Sequence, residues 1–439
     1  MKKLYLVFFL FIFSIAFSQS VRSLGMGGVT LPGPWATPYN PAFAAYSEDT
    51  YGPNNDIALP VGLINLIFNP HTSILNYFNN YDLFINNFDL ISFIDQLAHP
   101  YEFIFNPPES PDEVVFRYDR SGISITDGAG NPLRLKHYQA VISQKNEPSL
   151  PNPFFELAVP TGISGLQINL GTYLSTSGVS LVPSKSLADA ISDGVLQADS
   201  VYTITTSAAA EAGVSGRLSY AISLPVIGNH NNLYIGVQAD GFYGLLRSTM
   251  LATTKLSTDH NGNPVNLDYT SNIFLAYPGL GNGYGGRLDF GIAADYQSGT
   301  YGIGLRNLID YRAWQGVSRT REYGGNVVEK ELSTRQLIFA PLVYFNGAFA
   351  QDLPGGSVVL FGADASFSAS SFAAHAGIEY QQSIFRLRGG LGYENGLKLG
   401  LGGGIVLPYF GIDAALTSHQ DFLSDQLIFG LAASLGFYF

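Results

Sequence analysis

The chain has 439 residues, 46% of them apolar and 13% charged, with 49 glycines, 31 phenylalanines, 26 tyrosines and no cysteine. That content excludes disorder, and a charged fraction about half the usual ~25% argues against an ordinary soluble enzyme; without cysteine there is no disulfide framework and no thiol chemistry. A formal charge of -12 argues against a nucleic-acid partner, which needs a basic face for phosphate.

Lys2 and Lys3 precede an apolar run from Leu4 to Phe17, and Ala16-Phe17-Ser18 offers the small residues of a signal-peptidase site. Residues 1–18 therefore read as a secretory leader cleaved before Gln19. The run is too short for the roughly 20 residues that span a bilayer as a helix, and no later stretch is long and apolar enough to do so. Glycine and proline crowd residues 25 to 41 (Gly25, Gly27, Gly28, Pro32, Gly33, Pro34, Pro38, Pro41), which predicts coil held in place by other parts of the chain. Residues 19–50 are taken as one segment and 51–439 as the main body. Apolar material follows at Ile57 to Phe68 and Phe84 to Phe105, with a short helix between Asn86 and His99. Strands are expected at Glu113 to Tyr118 and Leu133 to Ile142, with a turn at Asp127-Gly128.

The decisive signal is period-two alternation, repeated in twelve segments: Leu166 to Leu174, Val214 to Leu224, Leu233 to Tyr243, Leu288 to Tyr296, Tyr301 to Leu308, Leu337 to Phe349, Val359 to Phe367, Phe372 to Tyr380, Phe385 to Tyr393, Leu397 to Leu407, Phe410 to Thr417 and Leu427 to Phe439. Between them, Ser186 to Ala198 reads as a helix capped by Ser186, and residues 257 to 272 and 310 to 335 as long polar loops. Turn-sized links such as Gln381-Gln382-Ser383 and Glu394-Asn395-Gly396 imply antiparallel hairpins. One face of each segment is large and apolar, and the other is mostly Gly, Ala and Ser with a few charges. A soluble β-sandwich also alternates, but its polar face meets water and would carry Lys, Glu, Thr and Gln. The small face fits a crowded lumen instead, and aromatics at segment ends (Tyr296, Tyr301, Tyr380, Phe385, Tyr393, Phe410, Phe437, Phe439) fit interfacial girdles. Hydrocarbon leaves no partner for edge amides, so such a sheet must close. The fold class is all-β: a transmembrane antiparallel β-barrel with short helices in loops.

Leu24-Gly25-Met26-Gly27-Gly28-Val29 followed by Tyr39-Asn40-Pro41-Ala42 resembles the amino-terminal signature of the long-chain fatty-acid outer-membrane transporter (FadL-like) superfamily. Gly286 to Gly291, Arg306-Asn307-Leu308, His375 to Tyr380 and Leu387 to Gly390 resemble strand patterns of that group and of its conjugal-transfer-like and secretion-shuttle relatives. The resemblance implies a 14-stranded barrel whose N-terminal segment enters the lumen as a hatch, with apolar ligands captured outside and released sideways. Gly25, Gly27, Gly28, Asn40, Pro41 and Ala42 would take the hatch roles. The acidic residues usual shortly before Asn-Pro-Ala are missing from residues 29 to 39.

Lumen-facing parity gathers Asp364, His375, Glu379, Arg386, Arg388, Lys398 and Asp413, with Glu379 expected to meet Arg386 or Arg388 across a hairpin. These charges read as an ion-pair network that anchors the hatch, or as a polar constriction. Seven histidines (His71, His99, His137, His230, His260, His375, His419) occur singly in sequence, so no metal site and no cofactor are expected. Gly279 to Gly283 lacks the Lys-Ser/Thr of a phosphate loop and reads as a hairpin loop, and no Gly-x-Ser-x-Gly elbow is present, so no catalytic residue is expected. Phe437 and Phe439 resemble the signal read by the barrel-assembly machinery. The expected function is an outer-membrane channel or transporter, not an enzyme, for passive uptake of small hydrophobic molecules. Its partners are membrane lipid, the assembly machinery and a hydrophobic ligand. The alternative is a non-transporting barrel that docks envelope or secretion components.

Overall fold

The computed structural model describes residues 20–46, 51, 56–73, 92, 95–96, 99–107, 115–119, 122–126, 141–142, 153–159, 161–193, 195–225, 232–322, 328–337, 341–369, 372–394, 396–420 and 427–437. The leader, the Asp127-Gly128 turn and Phe439 lie outside them, as does most of the segment expected as a helix over 86–99, of which Ser92, Asp95 and Gln96 are described and helical.

Short strands β1 (Asp56–Ala58) and β2 (Phe103–Ile104) come first, then a separate hairpin of β3 (Val115–Asp119) and β4 (Gly122–Thr126), and β5 (Val141–Ile142). The main wall holds β6 (Pro153–Val159), β7 (Leu166–Pro183), β8 (Val201–Pro225), β9 (Asn232–Thr258), β10 (Pro264–Ala276), β11 (Gly283–Tyr296), β12 (Gly299–Glu322) and β13 (Val328–Leu337). It continues through β14 (Leu342–Leu353), β15 (Ser357–Phe367), β16 (Phe372–Gln382), β17 (Phe385–Glu394), β18 (Leu397–Val406), β19 (Phe410–Gln420) and β20 (Leu427–Phe437).

All pairings are antiparallel. Strands β6 to β9 pair in sequence order. β11 then lies on the first half of β9 (Ile292↔Ile235) and β10 on its second half (Ile273↔Met250), and both also pair with β12. On the other edge of β12, β14 takes the first half and β13 the second. From β14 to β20 each strand pairs with the next. β1 and β2 lie on the far edge of β20 at different heights, Ile57 opposite Leu435 and Phe103 opposite Leu431. With β5 and β6 both on one edge of β7, β10 and β11 sharing a second position, β13 and β14 a third, and β1 and β2 a fourth, the described strands of the wall occupy fourteen positions.

The two faces differ as the alternation requires. Leu387, Leu391 and Leu401 are 63%, 58% and 62% exposed on the outward face, while Arg386, Arg388 and Asp413 on the inward face are 8% or less. An apolar side chain outside and a charged one inside is the arrangement lipid imposes, and the wall is a transmembrane antiparallel β-barrel.

Several boundaries differ from those expected. Residues 257 to 272 and 310 to 335 are largely strand: β9 runs 27 residues and β12 runs 24, while β15 to β20 run 10 or 11. A tilted strand crosses a bilayer in about 9–11 residues, so the long strands project beyond it as a ribbon. There both faces of β10 meet water, which removes the apolar alternation, while the backbone ladder persists. Of the segment expected from Leu337 to Phe349, Leu337 ends β13 and Leu342 to Phe349 lie in β14, both on β12, while residues 338–340 lie outside those described. Gly279 to Gly283 is not a hairpin loop: residues 277–282 bulge between β10 and β11, which run in the same direction. The helix expected over Ser186 to Ala198 spans Lys185–Asp193 and is capped by Ser184, whose hydroxyl accepts from the Leu187 amide at 3.3 Å, rather than by Ser186.

Candidate functional site

The inward face is built from glycine and alanine, so backbone can approach backbone, and residues 20–46 lie against it. The Ser20 hydroxyl accepts from the Arg22 amide and starts a one-turn helix, α1 (Val21–Gly25). Gly27 and Gly28 follow at φ +74° and +100°, conformations open to glycine at no steric cost. A Cβ at Gly390 or Gly400 would collide with the backbone of Met26 or Leu24, and one at Gly377 would lie 2.6 Å from the Met26 carbonyl oxygen. Farther along, Asn40 caps the turn Pro41–Ala45 by accepting from the Ala42 amide at 3.0 Å and donates through Nδ2 to the Ile292 carbonyl at 3.1 Å. Gly236, Gly291 and Gly304 admit Pro41, Asn40 and Tyr39 in the same way. One short segment thus touches inward faces on β16 to β18 and on β9, β11 and β12. The predicted coil contains α1 and two 3-10 turns, and all six of Gly25, Gly27, Gly28, Asn40, Pro41 and Ala42 sit at this contact.

Charge fixes the segment in place. Arg22 donates from Nε and Nη2 to the two oxygens of Glu379, at 2.9 and 2.8 Å, and from Nη2 to the Tyr51 carbonyl at 2.6 Å. Arg388 bridges Glu379 to Asp413. Asp364 accepts from the Thr30 amide at 2.5 Å and pairs with His375 Nδ1 at 2.6 Å, while His375 Nε2 is 2.8 Å from Glu394, which also pairs with Lys398 at 2.5 Å. Six of the seven charges expected in the lumen therefore fall into two joined groups. Arg386 stands beside Gln381 in the ladder, and the partner of Glu379 across the hairpin is Arg388. Tyr46 donates to Asp295, as does Tyr234, both at 2.8 Å. Burial raises the Tyr46 phenol well above its ordinary range, so it stays a neutral donor.

Two further clusters were not assembled from sequence. In the first, Asp240 accepts from Arg217 at 2.9 Å and from Arg287, Arg287 lies 3.0 Å from Asp289, and Glu211 joins Arg247 to Arg312. Arg247 and Arg312 lie over the rings of Trp314 and Phe242, which pack with Tyr173 and Phe274 into a buried aromatic group. Arg287 and Asp289 have inward parity in the sequence, but their partners are on other strands. In the second, Asp95, His99 and His419 bring their ligand atoms within 4.8 Å of one another, against the expectation that every histidine stands alone. Asp95 and His99 carry a local signal, the i,i+4 spacing. His419 is 324 positions from Asp95 and carries none.

No family model matches the chain, and no curated protein matches it. Among solved structures it is similar to the toluene transporter TbuX of Ralstonia pickettii, at 12% identity and a TM-score of 0.33, covering 64% of this chain and 80% of that one. It is similar to a FadL homologue of Pseudomonas aeruginosa at 13% identity and a TM-score of 0.33, covering 76% and 86%, a protein of the family that the amino-terminal motif resembles. It is also similar to the siderophore receptor PirA of Pseudomonas aeruginosa at 8% identity and a TM-score of 0.22, covering 64% and 69%. The functional reading rests on the geometry of the chain itself.

Proposed function

We propose that the protein is an outer-membrane channel for passive passage of small hydrophobic molecules, with residues 20–46 as its plug. The observation that carries the reading is the buried lock of Arg22 on Glu379, because it ties a non-strand segment to the inner wall by side chains rather than by a sheet ladder. A segment held this way can leave without breaking the barrel. An apolar surface supports the choice of cargo. Helix α2 (Val61–Phe68) carries Phe68 57% exposed and packs beside β2, whose Phe103, opposite Leu431, belongs to the lipid-facing surface of the wall. A docking role for envelope or secretion partners is the second reading, favoured by the ribbon that β9, β10 and β12 extend past the bilayer.

Purified protein in liposomes tests the first reading with labelled toluene and a labelled long-chain fatty acid. Uptake is expected for at least one of them and is expected to rise when residues 20–46 are deleted. Absence of uptake by both the intact and the deleted protein would sink the channel and leave docking.

A further inference from the structure

We propose that Asp95, His99 and His419 form a site for a divalent transition metal of the zinc class, which staples the segment carrying Asp95 to Glu102 onto the inner face of β19. Two imidazoles and a carboxylate are the donor set of zinc rather than of magnesium or calcium, which take oxygen. The three residues come from two separate parts of the chain. Asp95 Oδ1 is 2.9 Å from His419 Nε2 and 3.5 Å from His99 Nδ1. Asp95 is only 3% exposed, and its Oδ2, fully buried, has no hydrogen-bond partner. A buried carboxylate oxygen left in that state forfeits the hydration it had in the unfolded chain, and a cation would restore a partner to it. Glu102 is bonded to the Thr417 hydroxyl, two positions before His419 on the same inward face, and stands outside the group of three ligand atoms.

The two rings stack with centroids 3.6 Å apart and planes 13° from parallel. Bonds of about 2.0–2.1 Å from both nitrogens to one ion require the planes to fan apart. His99 is the ring with room to turn, since its side chain is 19% exposed against 7% for His419. Lys398 stands near on β18 but is held by Glu394. The site lies apart from the Arg22 lock, so it stands whether or not the channel reading does.

The test uses untagged full-length protein in detergent, stripped with chelator and titrated with zinc by calorimetry and with cobalt by visible absorption. One equivalent per chain is expected, with cobalt d–d bands that disappear in His99→Ala and His419→Ala. Asp95→Asn is expected to weaken zinc by at least about tenfold, since even outer partners of metal ligands cost that much. His260→Ala, at an exposed pair with Asp199, is expected to change nothing. Heat-modifiability on gels establishes that each variant is a folded barrel. No metal bound by the folded parent protein, or binding that His419→Ala leaves intact, overturns the site; in that case the three residues are a hydrogen-bonded stack.

Discussion

Glu379 is the residue on which the inner contacts converge, fully buried between the guanidinium groups of Arg22 and Arg388. Removing one partner of a buried ion pair leaves charge without compensation, at a cost of roughly 3–5 kcal/mol. Glu379→Gln keeps the volume and loses the charge, so denaturant unfolding in detergent should show a loss of that order; a change under about 1 kcal/mol would mean that water reaches the pair. At the far tip of the ribbon, Asp259 accepts from the amides of Asn263 and Asn261 at 2.8 Å, and these bonds hold its carboxyl below the usual range. The sign follows from linkage. A depressed folded pKa stabilises the turn above the unfolded value of about 3.9 and loses it as pH falls through the folded value. The amide shifts of Asn261 and Asn263 should titrate below that value, and a midpoint at or above it would contradict the turn. Of these contacts, sequence parity placed Glu379, Arg388 and Asp413 on one inner face because strand geometry has a period of two. Arg22 escaped notice, since it sits in a segment with no periodicity to say which way it points.

The elements of the wall carry a clear test of medium. Leu401 is outward and Gly402 inward, with the Cβ position of Gly402 3.0 Å from the Cα of Gly25. Leu401→Arg or Leu431→Arg should cost about 2–4 kcal/mol at mid-membrane depth, measured by unfolding in lipid vesicles. Gly402→Arg should fail differently, by displacing residues 20–46, seen as increased protease cleavage there in a barrel that still resists unfolding on gels. Equal tolerance of charge at 401 and 402 would refute the assignment of faces. The short strands β15 to β20 were legible almost to the residue, because lipid on one side and glycine-lined interior on the other make every position informative. The ribbon was not legible. Thr253, Lys255, Asn266 and Asp268 face water on both sides, and only the ladder, which side chains do not report, makes them strand.

At the scale of the whole molecule, the proposed channel turns on whether residues 20–46 move during passage. Chain and wall face each other glycine to glycine at Gly25 and Gly402, with each Cβ position 3.1 and 3.0 Å from the other's Cα, tighter than an ordinary van der Waals contact. The chain has no cysteine, so Gly25→Cys with Gly402→Cys gives a single disulfide with no competing thiol. The bond would join the helix that carries Arg22 to β18, closing by a covalent link what the Arg22–Glu379 pair closes by charge. If passage requires the segment to leave, oxidised protein should show uptake reduced to the level of empty liposomes, and reductant should restore it. Equal uptake in both redox states, with the disulfide confirmed by mass, would place the path of the cargo elsewhere in the barrel and make residues 20–46 a permanent part of its interior. Arg22→Met separates motion from occupancy: by weakening the lock without adding a tether it should raise uptake, and it should do so only if the disulfide lowers it.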